Sequence, residues 1–360
     1  MSQRGFKIIF LLATALAFFV VVLGAYTRLT NAGLGCPDWP GCYGQMIPSS
    51  QSSFPEEGGQ RALELRKAWT EMAHRFGAGS LGLLIFALFL FSLVQKIKHQ
   101  PSPFGLSLLL FFAVIFQAAL GMWTVTLKLH PFVVMGHLLG GLTTLGLLGW
   151  GVLGNLNPVG ASLGAPSTRE PLGAPPTRAQ QAAPLHRWAL WALVILILQM
   201  ALGGWTSANY AALACPDFPM CQASWWPGMD LKAAFTVWHE FGHNYEYGVL
   251  HNEGRVAIHM MHRIGAVITF IVVGGLGMQC VRVGVRLGGI GRTGRTQGSP
   301  VRNIRSVREM GFILLFILCA QIILGISNAV FLLPLPVAVA HSGMAALLLL
   351  NVLAVVKFSR

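Results

Sequence analysis

EMAHRFGA at residues 71–78 returns as HMMHRIGA at residues 259–266. Each copy opens an apolar segment that is long enough to cross a bilayer, which takes about 20 residues. Histidine is rare in such segments unless it has a function. Because the repeat carries a histidine twice, the sequence predicts two similar sites, one in each half of the chain.

A second repeated motif places one more histidine in each half. QAALG at residues 117–121 precedes His137, and QIILG at residues 321–325 precedes His341, with the same spacing from glutamine to histidine. Two histidines in each half can then face each other at one depth across a four-helix bundle. These four histidines are His74, His137, His262 and His341.

Opposed imidazoles in an apolar bundle are suitable axial ligands for haem iron, and the haem ring buries its own apolar surface there. We therefore predict a bis-histidine haem site in each half. The alternative for each histidine is a buried, hydrogen-bonded polar side chain at a contact between helices.

The composition is that of a multi-pass membrane protein, with 54% hydrophobic and 10% charged residues. Lipid offers no hydrogen-bond partner to free backbone groups, so the apolar segments should all be helices. The first is expected to be an uncleaved helix, because its apolar stretch is long and no signal-peptide cleavage site is evident. The predicted spans are roughly residues 7–25, 72–94, 104–127, 132–154, 187–207, 257–280, 310–332 and 336–356.

The net charge of +13 does not indicate nucleic-acid binding, because of where the charge lies. Most of the 25 Lys and Arg residues fall on one side of the membrane if the N-terminus is cytoplasmic. This positive-inside pattern predicts that both termini face the cytoplasm. The basic loops then determine the topology, and anionic headgroups of the lipid bilayer are their expected contact.

The chain divides into two halves of four helices each. Residues 1–155 are the predicted N-terminal half and residues 187–360 the C-terminal half. The segment 156–186 is rich in Pro, Ala and Gly and is predicted to be a flexible cytoplasmic linker. The predicted fold class is an all-α integral membrane protein, with eight transmembrane helices in two parallel, pseudo-symmetric four-helix bundles.

Two outer loops repeat as well, since CPDWPGC at residues 36–42 matches CPDFPMC at residues 215–221. The cysteine spacing is not that of a zinc ribbon, and both loops face the oxidising side of the membrane. The simplest prediction is two disulfides, which are either structural links or redox-active groups that pass electrons. The predicted pairs are Cys36–Cys42 and Cys215–Cys221.

The two halves differ just before their first histidine. Glu71 precedes His74 by three residues, and His259 holds the matching position before His262. A carboxylate near a haem edge can transfer protons or position a water molecule. The alternative is an interfacial residue that pairs with Arg75 on the same helix face. The difference between the halves is expected if one site does chemistry and the other holds a permanent cofactor.

The second outer loop contains HEFGH at residues 239–243, which matches the H-E-x-x-H signature of zinc proteases. His251 and Glu246 lie close by in sequence as further candidate ligands. A zinc hydrolase and an incidental outer metal site are therefore minor alternatives, because no second part of a protease site is evident.

Elsewhere on the outer side, His130 is expected at the surface. An interfacial helix is expected at Trp225, Trp226 and Trp238.

GAYTRLTNAGLGCPDW at residues 24–39 resembles the first-loop signature of bacterial heme A synthases. E-x-x-H-R at residues 71–75 and I-H-M-x-H-R at residues 258–263 are similar to further motifs of that family, as are His137 and His341. The resemblance covers essentially the whole chain, and it is weak in the linker and in the loop at about residues 281–308.

The resemblance implies haem b as cofactor and haem O as substrate, with oxidation of the C8 methyl group of haem O to the formyl group of haem A for terminal oxidase biogenesis. The N-terminal half would bind the substrate and the C-terminal half haem b. By position, the implied residues are His74 and His137 for haem O, His262 and His341 for haem b, Glu71 for catalysis, and His259, Arg75 and Arg263 beside them.

The resemblance also implies a location in the bacterial cytoplasmic membrane. The expected partners are haem O, haem A, haem O synthase, cytochrome oxidase assembly factors and an electron acceptor that the sequence does not identify. The residues alone leave open a diheme b-type cytochrome that only transfers electrons, with both haems permanent. A transporter would need polar residues near the bilayer midplane, and few are present.

Overall fold

The computed structural model describes residues 3–49, 54–56, 59–61, 63–156, 178–238, 240, 242–290 and 301–359. Eight helices within these residues are long and apolar enough to cross a membrane, as the sequence predicts. A ninth, α6, is a single turn in the second outer loop. The helices are α1 Gln3–Leu29, α2 Leu65–Ile97, α3 Phe104–Thr126, α4 Pro131–Leu156, α5 Arg178–Ala208, α6 Leu231–Ala234, α7 Asn252–Ile290, α8 Val301–Val330 and α9 Leu335–Phe358.

The described residues also contain one small antiparallel hairpin in the first outer loop. Its strands are β1 Phe54–Glu56 and β2 Gly59–Arg61, with Phe54 paired to Arg61. The hairpin is separate from the helical bundle and does not change the predicted all-α class.

The outer faces of the helices are apolar. Leu83 is 72% exposed and Phe316 is 73% exposed, although both lie in the middle of long helices. Side chains of this size are usually buried when the surrounding solvent is water. They cost nothing when the solvent is lipid, so the exposed apolar faces agree with a multi-pass membrane protein.

The helices form two four-helix bundles with the same pattern of contacts. In the first, α1 packs on α2 and α4, and α3 packs on α2 and α4. In the second, α5, α7, α8 and α9 repeat these contacts in the same order. The bundles meet along α1, α4, α5 and α9. The orientation of the termini in the membrane stays a prediction.

Small residues let the two bundles approach closely, as is usual between helices in membranes. A Cβ atom at Gly149 on α4 would lie 2.6 Å from Leu350 on α9. At the end that carries the disulfide loops, Arg28 donates to the Ser207 carbonyl at 2.6 Å and lies 3.9 Å above the Tyr210 ring. The two halves are therefore joined by apolar packing within the bilayer and by a polar contact at one end.

The helices extend beyond the predicted spans. α2 begins at Leu65 and α7 at Asn252, so each histidine motif lies inside its helix rather than at its start. Of the predicted linker, residues 157–177 lie outside the described residues, and residues 178–186 form the first turns of α5. The division into two domains stays a prediction.

Two expectations for the outer side are wrong. His130 is only 1% exposed, because the second outer loop crosses the end of the first bundle and places Tyr245 5.2 Å from its ring. The Tyr245 N–H donates to the Lys128 carbonyl at 3.0 Å and holds the loop there. Trp225 and Trp226 are 70% and 72% exposed, but they lie in a bend rather than a helix.

Candidate functional site

The first pair of predicted ligands faces each other across the N-terminal bundle. The ring centroids of His74 on α2 and His137 on α4 are 6.3 Å apart, and the ring planes are at 82°. Two imidazoles that share one metal ion, with bonds of about 2 Å and about 1 Å from nitrogen to ring centre, have centroids about 6 Å apart. The spacing therefore fits one metal ion between the rings.

The second pair lies in the equivalent place in the C-terminal bundle. Helices α7 and α9 carry His262 and His341, each with its ring against a glycine of a neighbouring helix. All four histidines are partly buried. The structure thus brings together the first pair that the sequence predicts and places the second pair on the matching helices.

Each histidine ring lies directly against a glycine of a neighbouring helix. A Cβ atom at these glycines would lie about 3 Å from the Cε1 atom of the ring, which is closer than real Cβ atoms normally approach. The glycines therefore make room for the rings. The pairs, with the distance from the Cβ position to Cε1, are Gly24–His74 at 2.8 Å, and Gly121–His137, Gly203–His262 and Gly325–His341 at 3.1 Å.

Three of the four histidines also contact a glutamine four residues before that glycine. Gln117 Nε2 lies 3.1 Å from His137 Nδ1, and Gln321 Nε2 lies 3.3 Å from His341 Nε2. The third is Gln199, whose Nε2 lies 3.1 Å from His262 Nδ1. Sequence reasoning noted the first two and missed Gln199, although Gln-x-x-x-Gly recurs there in the same form as in the other two helices.

These residues fit an iron porphyrin. The first two imidazoles face each other, the glycines make room for all four rings, and buried polar atoms such as Gln117 Oε1 and Gln199 Oε1 lack hydrogen-bond partners among the described residues. Two axial nitrogens are the full protein ligand set that a haem iron needs. In contrast, the described residues hold no group of three or more His, Cys, Asp and Glu that could bind a bare metal ion.

Glu71 lies beneath the first disulfide loop and is 5% exposed. Its carboxylate pairs with Arg75 through Oε1 and accepts a hydrogen bond from the Cys36 N–H at Oε2, at 2.7 Å. Arg75 in turn donates to the main-chain carbonyls of Asp38 and Gly41. The pairing that was the alternative to a catalytic role is therefore present, and it ties the loop to α2.

The second disulfide loop is held in the same way with one change. Arg263 donates to the carbonyls of Cys215 and Asp217, at 3.0 and 2.8 Å. His259, at the position of Glu71, contacts the Ala211 carbonyl through Nδ1 at 3.1 Å. In the second half, the His259 imidazole beside a carbonyl thus takes the place of the Glu71 carboxylate that accepts from an N–H in the first half.

Both predicted disulfides, Cys36–Cys42 and Cys215–Cys221, are present. The four cysteines are 0% exposed, and each loop covers the outer end of the helix that carries the first histidine of its half. Their surroundings agree with structural links, and a redox role stays a prediction.

Comparison with known proteins gives the family. A family model described as cytochrome oxidase assembly protein matches residues 7–353. The chain belongs to this family, COX15-CtaA. A relative named heme A synthase from Shewanella oneidensis is 40% identical over 98% of this chain and 96% of its own length. Others of that name from Shouchella clausii and Caulobacter are 26% and 24% identical, over 64% and 93% of this chain.

In this COX15-CtaA protein a shallow, open groove lies between α1 and α2, with a volume of about 760 Å³. Most of its lining is apolar, and the lining includes Ala73, the residue before His74. The lining residues are Leu23, Tyr26, Leu65, Arg66, Trp69, Thr70 and Ala73.

The H-E-x-x-H stretch gains no support in this family member. His239 and Phe241 lie outside the described residues. The candidate third ligand His251 pairs instead with Asp230, at 3.3 Å. The carbonyl of Glu240 accepts a hydrogen bond from the Tyr245 hydroxyl at 2.6 Å, so this part of the loop helps to cover the N-terminal bundle.

Proposed function

We propose that this protein is a heme A synthase, an enzyme that oxidises the C8 methyl group of haem O to the formyl group of haem A. The observation that carries the proposal is the pair of facing imidazoles in the N-terminal bundle, in a chain that is 40% identical over 98% of its length to a protein of that name. Membership of a family of cytochrome oxidase assembly proteins supports it as well.

The N-terminal bundle is the proposed substrate site, with His74 and His137 as the ligands of haem O. The groove between α1 and α2 supports this assignment, because Ala73, the chain neighbour of His74, forms part of its lining. A substrate that arrives from the membrane, and a product that returns to it, need such a lateral opening.

The C-terminal bundle is the proposed site of haem b, with His262 and His341 as ligands. When bound there, haem b would supply a redox centre. Gln199 and the Gln321 main chain contact these two rings and hold them in place. Ligand side chains that are oriented by their neighbours are typical of metal sites.

Glu71 is the proposed catalytic residue. Its carboxylate is held by Arg75 and by the Cys36 N–H, one turn from His74. Each carboxylate oxygen can accept more than one hydrogen bond, and a carboxylate can take up a proton. The role is to accept protons as the methyl group is oxidised. This oxidation takes up one oxygen atom and releases protons and electrons, so it requires an oxygen donor such as water and an external electron acceptor.

The second candidate is a diheme cytochrome that transfers electrons without changing either haem. The similar surroundings of the two histidine pairs favour it. Co-expression with a haem O synthase separates the two, followed by chromatography of the pigments extracted from the purified protein. A heme A synthase yields haem O and haem A beside haem B. A diheme cytochrome yields haem B alone, and that result would contradict the proposal.

A further inference from the structure

The four histidine positions differ in one neighbour. In each case a glycine lies under the ring, and the residue four positions earlier faces the same ring. At three of the positions this residue is glutamine, and at His74 it is Val20. The relevant sets are Gln117 with Gly121, Gln199 with Gly203, Gln321 with Gly325 and Val20 with Gly24.

Gln199 shows what the amide does. Its Nε2 lies 3.1 Å from His262 Nδ1 and donates to the His262 carbonyl at 3.1 Å. Its Oε1 occupies the space that a Cβ atom would fill at Gly265, one turn after the histidine. Gln117 does the same beside His137 and Gly140. The amide thus lies between the Nδ1 side of the histidine ring and the glycine that follows it, where it restricts rotation of the ring.

His74 lacks this support. The Val20 side chain takes the equivalent space, with its Cγ2 atom 3.2 Å from the Cβ position of Gly77. The main-chain carbonyl of Val20 is the group that His74 approaches there. None of the described side chains forms a hydrogen bond with its Nδ1 atom. The His74 position therefore keeps Gly77, the counterpart of Gly265 and Gly140, but has no amide beside it.

We propose that Val20 makes the N-terminal haem the exchangeable one, because it leaves the His74 ring without a side chain that fixes its orientation. Gln199, at the same place in the second half, fixes His262 and retains the other haem. The inference rests on the proposed haem sites and names the residue that lets substrate enter and product leave. Hydrogen-bonding neighbours of a metal ligand change affinity by about 10–100-fold when they are lost.

The test is the rate at which haem leaves the purified full-length protein, loaded with haem B in both sites, to an excess of apomyoglobin. Wild-type protein should release haem in a fast and a slow phase, and His74→Ala should remove the fast phase. Val20→Gln should slow the fast phase about tenfold, the ratio that corresponds to about one net hydrogen bond. Val20→Leu, the matched control without an amide, should release haem at least as fast as wild type.

The reciprocal change tests the second half and does not depend on how Val20→Gln folds. Gln199→Val should accelerate the slow phase about tenfold. Equal fast phases in Val20→Gln and Val20→Leu would overturn the proposal, and so would an unaltered slow phase in Gln199→Val. Because the readout uses haem B only, it is separate from the proposed activity. A protein that forms no haem A but shows the expected rates would refute the activity and support the exchange mechanism.

Discussion

The two bundles share a scaffold and differ in a few side chains around it. Both hold a histidine pair against glycines, and both tie a disulfide loop to a helix through an arginine. Among the matched positions that differ are Val20 against Gln199 and Glu71 against His259. We propose that these substitutions give each site its own chemistry, while the duplicated fold keeps the placement of the histidines.

The contacts of the disulfide loops are nearly the same in the two halves. Arg75 and Arg263 both donate to carbonyls of their disulfide loop. The residue one turn before each arginine also contacts a main-chain group, but not of the same kind. Glu71 accepts a hydrogen bond from the Cys36 N–H, whereas His259 lies beside the Ala211 carbonyl. Only the first of these places a carboxylate next to a histidine pair, which is why we assign the chemistry to the N-terminal half.

The largest expected effect is loss of a ligand. His262→Ala and His341→Ala should each reduce bound haem b to about a tenth or less, because one axial nitrogen remains. Pigment extraction from purified protein measures this directly. His243→Ala, which removes an exposed imidazole from the outer loop, is the control. Full haem b content in both ligand variants would refute the assignment.

A smaller effect that separates the halves comes from the glycines. Gly24→Ala would push a Cβ atom against His74, and Gly203→Ala one against His262. Overpacking of this kind costs about 1–3 kcal/mol. Haem O binding should fall about tenfold in the first variant and haem b binding about tenfold in the second. Gly82→Ala, where a Cβ atom meets nothing within 4 Å, is the matched control. If both variants lose both haems equally, the prediction that each glycine affects only the haem of its own half is wrong.

Glu71 tests the chemical difference between the halves. Glu71→Ala and Glu71→Gln should leave haem content intact and lower haem A production about 100-fold, the usual effect of removing a proton acceptor. Glu64→Gln, at an exposed carboxylate just before α2, is the control. If Glu71→Gln retains full production while Glu71→Ala does not, the carboxylate only holds the loop.

The smallest effect concerns the second loop. The pKa of Asp217 lies below its usual 3.8, chiefly because the N–H of Ala223 donates to its carboxylate, with further help from Gln222 and Arg263. A lowered pKa stabilises the fold above pH 3.8, and that stabilisation is lost as the pH falls through the folded value. Asp217→Asn should lower the Tm by about 1 °C at pH 7, and the difference from wild type should shrink below pH 3.8. If the Tm difference between Asp217→Asn and wild type is the same at pH 7 and below pH 3.8, the ionised carboxylate is not the source of the stabilisation.

The sequence predicts the eight spans, the four histidines and both disulfides because each of them recurs in the two halves. It does not predict the burial of His130, which depends on a loop from the other half. The sequence around Val20 does not indicate a role for this residue, because valine is common in apolar helices. It becomes visible only when α1 is compared with α5 and the contacts of His74 and His262 are known.

The central claim is that each bundle holds one haem iron between its two imidazoles. Electron paramagnetic resonance of the oxidised protein, purified after co-expression with a haem O synthase, tests it most directly. The account predicts two low-spin bis-imidazole signals, one lost in His74→Ala and the other in His262→Ala. Two unchanged signals in both variants would contradict it.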